Sequence, residues 1–316
     1  MYKLRSVRAF CIACHVAVCL LVPGIATAEE PVSSSDSGRI LVVGKVSDNP
    51  RKHAGFLKPI GEYVATRMED LGVTGYKILM ARDNAQMMSY LREGRVDWVT
   101  ETAFSAAIFA RETGAEPLVR KWKKGVAEYH TVFFTRHDSG LTNLSDLRGK
   151  VIAFEDPGST SAFYIPTAML ISEGLELVKL TSPRERPPED KVGFVFSNEE
   201  VNSSTWVHKG LVDAAAFSNL DWEKDDHTYV AMRKDLKIFE QSLDFPRAIE
   251  MVRPGLEPEI KARLRELLLS AHLDPDASNA LRAYQKTARF DEITPAIAAS
   301  LDEAQRIADI VRESAL

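Results

Sequence analysis

The segment Val151-Ile-Ala-Phe-Glu-Asp-Pro-Gly-Ser159-Thr160-Ser161 places three consecutive hydroxyl residues directly after a Pro-Gly pair, where a strand-like run gives way to a helical pattern. The start of a helix offers backbone N–H groups without intrahelical acceptors and the positive end of the helix dipole. It therefore suits an anion, and Ser and Thr add short donors. A tetrahedral oxyanion matches such a cradle. Capping alone accounts for one hydroxyl. Three in a row, at the carboxyl end of a strand where open α/β sheets bind ligands, exceed what a cap requires. No Lys follows, so this is not a Walker-type loop.

Other chemistry is thinly represented. The three cysteines, Cys11, Cys14 and Cys19, all lie in the first twenty residues. The histidines at positions 53, 130, 137, 208, 227 and 272 show neither H-x-x-x-H nor H-E-x-x-H spacing, and a Gly-x-Ser-x-Gly elbow is absent. An enzyme is not expected, nor a metal site or a cofactor. Asp225-Asp226-His227 reads as loop charge, and Trp206 as core. The basic run Arg120-Lys121-Trp122-Lys123-Lys124 suits the steering of anions, contact with a partner protein or an ordinary solvated surface.

The hydroxyl cluster needs a scaffold, and the chain alternates β-branched runs with helical periods, the order of a parallel-sheet α/β architecture. Strands are expected at 39–46, 76–80, 96–100, 129–135, 151–154, 192–196, 212–217 and 247–252. Helices are expected at 56–71, 84–93, from about 103, 161–173, 201–209, 257–270 and 295–316, several of them closed by Gly. The stretch Thr181 to Asp190, with three prolines and five charges, is expected to be an exposed loop.

The amino end reads as an export signal: Lys3, Arg5 and Arg8, an apolar run from Ala9 to Val22 broken only by His15, then Pro23, Gly24 and Ala26-Thr27-Ala28. The run of about 14 residues falls short of the roughly 20 that span a bilayer, so cleavage after Ala28 is expected rather than an anchor. Val18 is bulky where lipid attachment at Cys19 wants a small residue. Residues 29–38 read as a disordered leader. Removing residues 1–28, with three basic and no acidic groups, takes the formal charge from −5 to −8, which argues against nucleic acid as a partner. The remaining length suggests two domains.

Leu144-Ser-Asp-Leu-Arg-Gly-Lys-Val-Ile-Ala-Phe-Glu-Asp-Pro-Gly-Ser-Thr-Ser161, with Pro166, resembles the periplasmic phosphate/phosphite/phosphonate-binding proteins of the PhnD-like family. So do Leu91-Arg-Glu-Gly-Arg-Val-Asp97, Lys209-Gly-Leu-Val-Asp-Ala-Ala-Ala216 and the segment from Phe245-Pro-Arg to Arg253. The resemblance covers nearly all of residues 39–295. It implies an α/β protein with the two-lobed type II periplasmic-binding fold, each lobe a mixed, mostly parallel sheet flanked by helices. Residues 39–130 plus 246–316 would form one lobe and 131–245 the other. It also implies the binding component of an ABC importer, monomeric, taking a small phosphorus oxyanion between its lobes and docking on a membrane permease.

In that family the Ser-Thr-Ser cluster grips the oxyanion, which transfers to Ser159, Thr160 and Ser161. The family's Gly-Pro turn after the third strand is replaced here by Glu101-Thr102-Ala103-Phe104-Ser105, and a tyrosine often found just beyond is Ala106. Glu101, Thr102 and Ser105 are the candidates on that side. A carboxylate at Glu101 would accept a bond from a protonated oxyanion and so separate it from sulfate. Ser218 and Asn219 are expected to line the cleft, with Glu101 or Asp221 available to an amine. Tyr129 either contacts ligand or packs the hinge. Two other readings stay open: a sensor docking on a membrane receptor or kinase, and the same fold with a sulfonate- or nitrate-type ligand.

Overall fold

Pro at the first helical position and a side-chain cap are the strongest local starts in this chain, and they move the first helix. In the computed structural model, which describes residues 38–47 and 49–314, β1 (Arg39–Val46) leads to α1 (Pro50–Ala65). Asn49 accepts the Lys52 N–H at 3.2 Å and Pro50 is pre-set for the first turn. The helix thus opens six residues before the expected Phe56. It ends at Ala65, and a short 3-10 turn delivers the chain to Gly72, whose φ of +76° closes the unit. The expected signal peptide and residues 29–37 of the leader lie outside the described residues.

The next units follow the expected order: β2 (Val73–Ala81), α2 (Asn84–Arg92), β3 (Trp98–Glu101) and α3 (Ala103–Thr113). β4 (Glu116–Lys121) was not expected, because its charged residues hide the alternation. The expected single strand at 129–135 is two. β5 (Glu128–Tyr129) pairs with β12 (Phe245–Pro246), and β6 (Thr131–Arg136) belongs to a different sheet. His130 is the crossing residue, held by its carbonyl on the Asn219 N–H at 2.9 Å and its N–H on Asn219 Oδ1 at 3.1 Å.

Beyond the crossing come β7 (Val151–Phe154), α4 (Ile165–Ser172), β8 (Glu176–Lys179), β9 (Lys191–Phe196), α5 (Glu200–His208), β10 (Ala214–Ser218), α6 (Asn219–Trp222), α7 (Val230–Arg233) and β11 (Leu236–Gln241). β8 and β11 were missed at the sequence level; both are edge strands with mixed exposure. After β12 the chain adds β13 (Ile249–Val252), α8 (Pro258–Ser270), α9 (Ser278–Ala283), β14 (Phe290–Asp291) and α10 (Pro295–Glu313). The segment 181–190 is loop, as expected.

Two mixed six-stranded sheets result, ordered β14-β4-β13-β3-β1-β2 and β11-β6-β10-β7-β9-β8. The first is parallel across β2, β1 and β3 and antiparallel beyond; the second is parallel across β10, β7, β9 and β8. The β5–β12 pair is the strand connection between them. One apolar core runs under both sheets: Phe104 of α3 meets Tyr164 at 5.9 Å and Phe245 at 5.6 Å between ring centroids. α10 packs against α3 and α4 together.

A second core holds an ion pair. Lys121 and Glu250, both fully buried, lie 3.2 Å apart. The carboxylate also accepts the Trp98 indole N–H at 2.5 Å and the Tyr284 hydroxyl at 2.9 Å, and Lys121 donates to Thr100 at 2.6 Å. Filling the remaining hydrogen-bonding capacity of a buried pair is what makes it tolerable. Among the described residues no helix is long and apolar enough to cross a membrane.

Candidate functional site

The hydroxyl cluster sits where the sequence pattern puts it, at the carboxyl end of β7, but its backbone is not an ordinary helix start. Residues Thr160–Tyr164 form a π-turn before α4, with the N–H groups of Phe163 and Tyr164 both on the Ser159 carbonyl at 3.1 Å. Such single turns are frequent at functional sites. Ser159 Oγ accepts the Ala162 N–H at 3.3 Å, so this hydroxyl does cap. The N–H groups of Thr160 and Ser161 find no acceptor among the described residues, and both side chains are buried. Thr131 fixes the turn by donating to the Ser161 carbonyl at 2.8 Å.

Facing it is the start of α3. Thr102 caps that helix by accepting the Ser105 N–H at 3.4 Å, and its Oγ1 receives the Thr160 hydroxyl at 3.1 Å. Helix starts from the two sheets therefore meet hydroxyl to hydroxyl. Tyr129, from β5, is buried beside them. Burial pushes its phenol up, while the Arg247 guanidinium and the Thr160 and Ser161 hydroxyls pull the other way. The Arg247 guanidinium lies over the Tyr129 ring, 4.6 Å from its centroid.

The remaining candidates are placed as follows. Glu101 ends β3, where its Oε1 accepts the Val46 N–H at 2.9 Å and the Lys45 ammonium at 3.3 Å. Ser105 turns to Asn84, whose Nδ2 lies 3.2 Å from its Oγ, and is not brought to the hydroxyl cluster. Ser218 caps α6 and donates to Asp221 at 2.5 Å, and Asn219 stitches the crossing residue His130. Asp221 also receives Lys224 and faces His227 at 3.2 Å. Burial raises Asp221, but the Lys224 ammonium and the Ser218 hydroxyl outweigh it and hold the carboxyl below its usual range. Glu200, Asp221 and His227 offer one ligand atom each within 4.8 Å of one another, with the Lys224 ammonium already supplying a cation there. Trp206 is partly buried against the core of the second sheet.

Two features escaped the sequence reading. Glu155, the residue after β7, lies beside Ser159; burial and the neighbouring Glu200 carboxylate push it up to about 7, against the pull of the Ser159 hydroxyl. The basic run is mostly turned inward, and only Lys124 of it is exposed. Lys121 is fully buried, Arg120 is clamped on Asp291 at 2.6 and 2.9 Å, and Lys123 is half-buried in the company of Arg247, Lys121, Lys45 and Glu101. Its local charge was legible; its inward course was not. Two cavities of about 640 and 630 Å³ flank α10, and neither is lined by Ser159–Ser161, Thr102 or Tyr129. The candidate site is thus marked by converging donors rather than by open volume.

Comparison with known proteins bears on the family and the fold. Residues 48–297 match the family described as "ABC transporter, phosphonate, periplasmic substrate-binding protein". The structure of XAC2383 from Xanthomonas citri bound to chloride ion is 37% identical, covers 87% of this chain and 99% of that one, and has a TM-score of 0.80. The same protein bound to ATP gives 36% and 0.80. PhnD1 from Prochlorococcus marinus in complex with methylphosphonate shares the fold at a TM-score of 0.60 and 17% identity, over 86% of this chain and 98% of that one. The phosphate-import protein PhnD of Mycolicibacterium smegmatis is 29% identical over 202 residues, 62% of this chain and 61% of that relative's length. With most of its length matched and both sheets in place, the chain belongs to the family of periplasmic substrate-binding proteins of phosphonate ABC transporters.

Proposed function

We propose that the protein captures a small phosphorus oxyanion (phosphate, phosphite or a phosphonate) between its two sheets and presents it to the permease of an ABC importer. The observation that carries this reading is the 3.1 Å contact between the Thr160 and Thr102 hydroxyls. It brings the free N–H groups of the π-turn, Ser159, Ser161 and Tyr129 against the start of α3. Donors converging from two bodies bind a ligand by closing on it, and the closed form is what a membrane partner reads. No step makes or breaks a covalent bond. Export with cleavage after Ala28 and a monomeric state belong to the same reading, as does bending at the β5–β12 crossing between residues 39–130 plus 246–316 and residues 131–245.

A broader ligand deserves a place in the test, because the 36% identical relative holds ATP and a terminal phosphate presents the same face as a free oxyanion. Calorimetric titration of ligand-stripped protein with phosphate, phosphite, methylphosphonate, 2-aminoethylphosphonate, sulfate and ATP decides. Tight binding of a phosphorus compound, lost in Ser159→Ala/Thr160→Ala, is the expected result. Binding of sulfate alone, or of none of the six, would overturn the assignment.

A further inference from the structure

Lys123 and Arg247 are two half-buried basic residues without a carboxylate partner. Neither side chain makes an ion pair or a hydrogen bond among the described residues, whereas Arg120, the last residue but one of β4, is paired with Glu128 and Asp291. The chain takes trouble to place them. Lys123 and Val126 form a bridge around a two-residue turn, the Val126 N–H on the Lys123 carbonyl at 3.1 Å. Both central residues, Lys124 and Gly125, have positive φ, 55° and 79°, the pattern of a type I′ hairpin. A non-glycine residue held there is strained, and such strain persists where surrounding structure imposes it. The Lys124 N–H is tied to the Gln285 carbonyl at 3.1 Å, and the Arg247 N–H to the Ala127 carbonyl at 2.8 Å. Turn and crossing strand are thereby locked together.

Resting on the oxyanion reading above, we infer that Lys123 and Arg247 close the anion site from the crossing segment and select ligands that carry two negative charges. Arg247 reaches the site through Tyr129, whose ring it covers and whose phenol lies beside Thr160 and Ser161. Lys123 opens the turn that leads to Ala127, whose carbonyl holds the Arg247 N–H, and the Arg247 charge acts on its amine. The groups facing Lys123 are Lys45 on β1, Glu101 on β3, Lys121 on β4 and Arg247 after β12; three of the four are cationic, and Glu101 is already shared with Lys45. Burial and the three cationic neighbours, Arg247 foremost, push the Lys123 amine down to about 6 against the pull of Glu101. An anion entering beside it restores the charge, so capture at neutral pH draws a proton onto Lys123.

The test compares wild type, Ser159→Ala/Thr160→Ala, Lys123→Gln, Lys123→Arg and Arg247→Gln by calorimetry with inorganic phosphate, methylphosphonate and ATP. Titrations in buffers of differing ionisation enthalpy count the protons taken up, and circular dichroism checks each fold. Lys123→Gln and Arg247→Gln are expected to weaken binding by about tenfold to a hundredfold each. Lys123→Arg should keep binding within a few fold while abolishing the part of the proton uptake that wild type shows beyond the ligand's own. Wild-type affinity in both glutamine variants, with binding lost in the serine-threonine variant, would overturn this inference and leave the oxyanion reading standing. Failure of wild type to bind any of the three would remove both.

Discussion

The hydroxyl of Thr160 donates to that of Thr102 at 3.1 Å, joining the turn after β7 to the cap of α3. The two residues are far apart in sequence and belong to different sheets, so this bond reports directly on how the halves of the protein meet. Single Thr102→Val and Thr160→Val variants and the double variant, followed by urea unfolding, should show a coupling of about 1 kcal/mol. Thr102→Val alone carries a further cap loss of about 1 kcal/mol, which Thr102→Ser should restore. Strict additivity of the two valine variants would mean that the contact is not made in solution.

Glu155 makes stability depend on pH in the direction opposite to a paired carboxylate. Its folded value, raised to about 7 by burial and Glu200, lies above that of the unfolded chain. The native state therefore binds the extra proton, and its contribution is present at low pH and lost as pH rises toward 7. Glu155→Gln should flatten this window and stabilise the protein above pH 7 by about 1 kcal/mol, allowing for solvent screening of a half-buried group. Because Glu155 lies beside Ser159, the same substitution should lessen any weakening of anion binding above pH 7. Chemical denaturation and titration at about pH 4.5 and about pH 8, on either side of the window, check both effects. An unchanged pH profile in the variant would remove Glu155 from the account.

The buried Lys121–Glu250 pair predicts an asymmetric response. Lys121→Met leaves a carboxylate buried without its cation and should cost about 3–5 kcal/mol, whereas Lys121→Met combined with Glu250→Gln should recover much of that loss. Unfolding midpoints in urea measure it. Equal losses in the single and double variants would show that side-chain volume, not charge, dominates there.

Asp97 is the hub at the opposite end of β3. It accepts the Val42 N–H, Arg39 Nη2 and Arg253 Nε, each at 2.9 Å, and so ties β1 to the segment after β13. Asp97→Asn keeps the shape but removes the charge facing two guanidinium groups. A loss of about 2–3 kcal/mol is expected by chemical denaturation, with ligand affinity little altered because the hub is remote from the hydroxyl cluster in the sheet.

What the sequence alone determined was local: the order of most strands and helices, the Ser159–Ser161 turn at the end of β7, the helix beginning near Ala103 after β3, and the family to which such a pattern belongs. Periodicity, glycine stops and capping residues act over a few positions and can be read there. Strands β4, β8 and β11 escaped because charged and half-exposed residues blur their alternation. The split at His130 escaped because its bonds come from Asn219, far along the chain. Only the tertiary structure decided that Thr160 meets Thr102, that Arg247 covers Tyr129, that Lys121 is sealed in a core while Lys123 stays unpaired, and that Glu155 lies close enough to Glu200 to hold its proton. Each depends on what surrounds a charge or a hydroxyl after folding, and the free energy of a buried polar group is set by those distant neighbours rather than by the residues beside it in sequence.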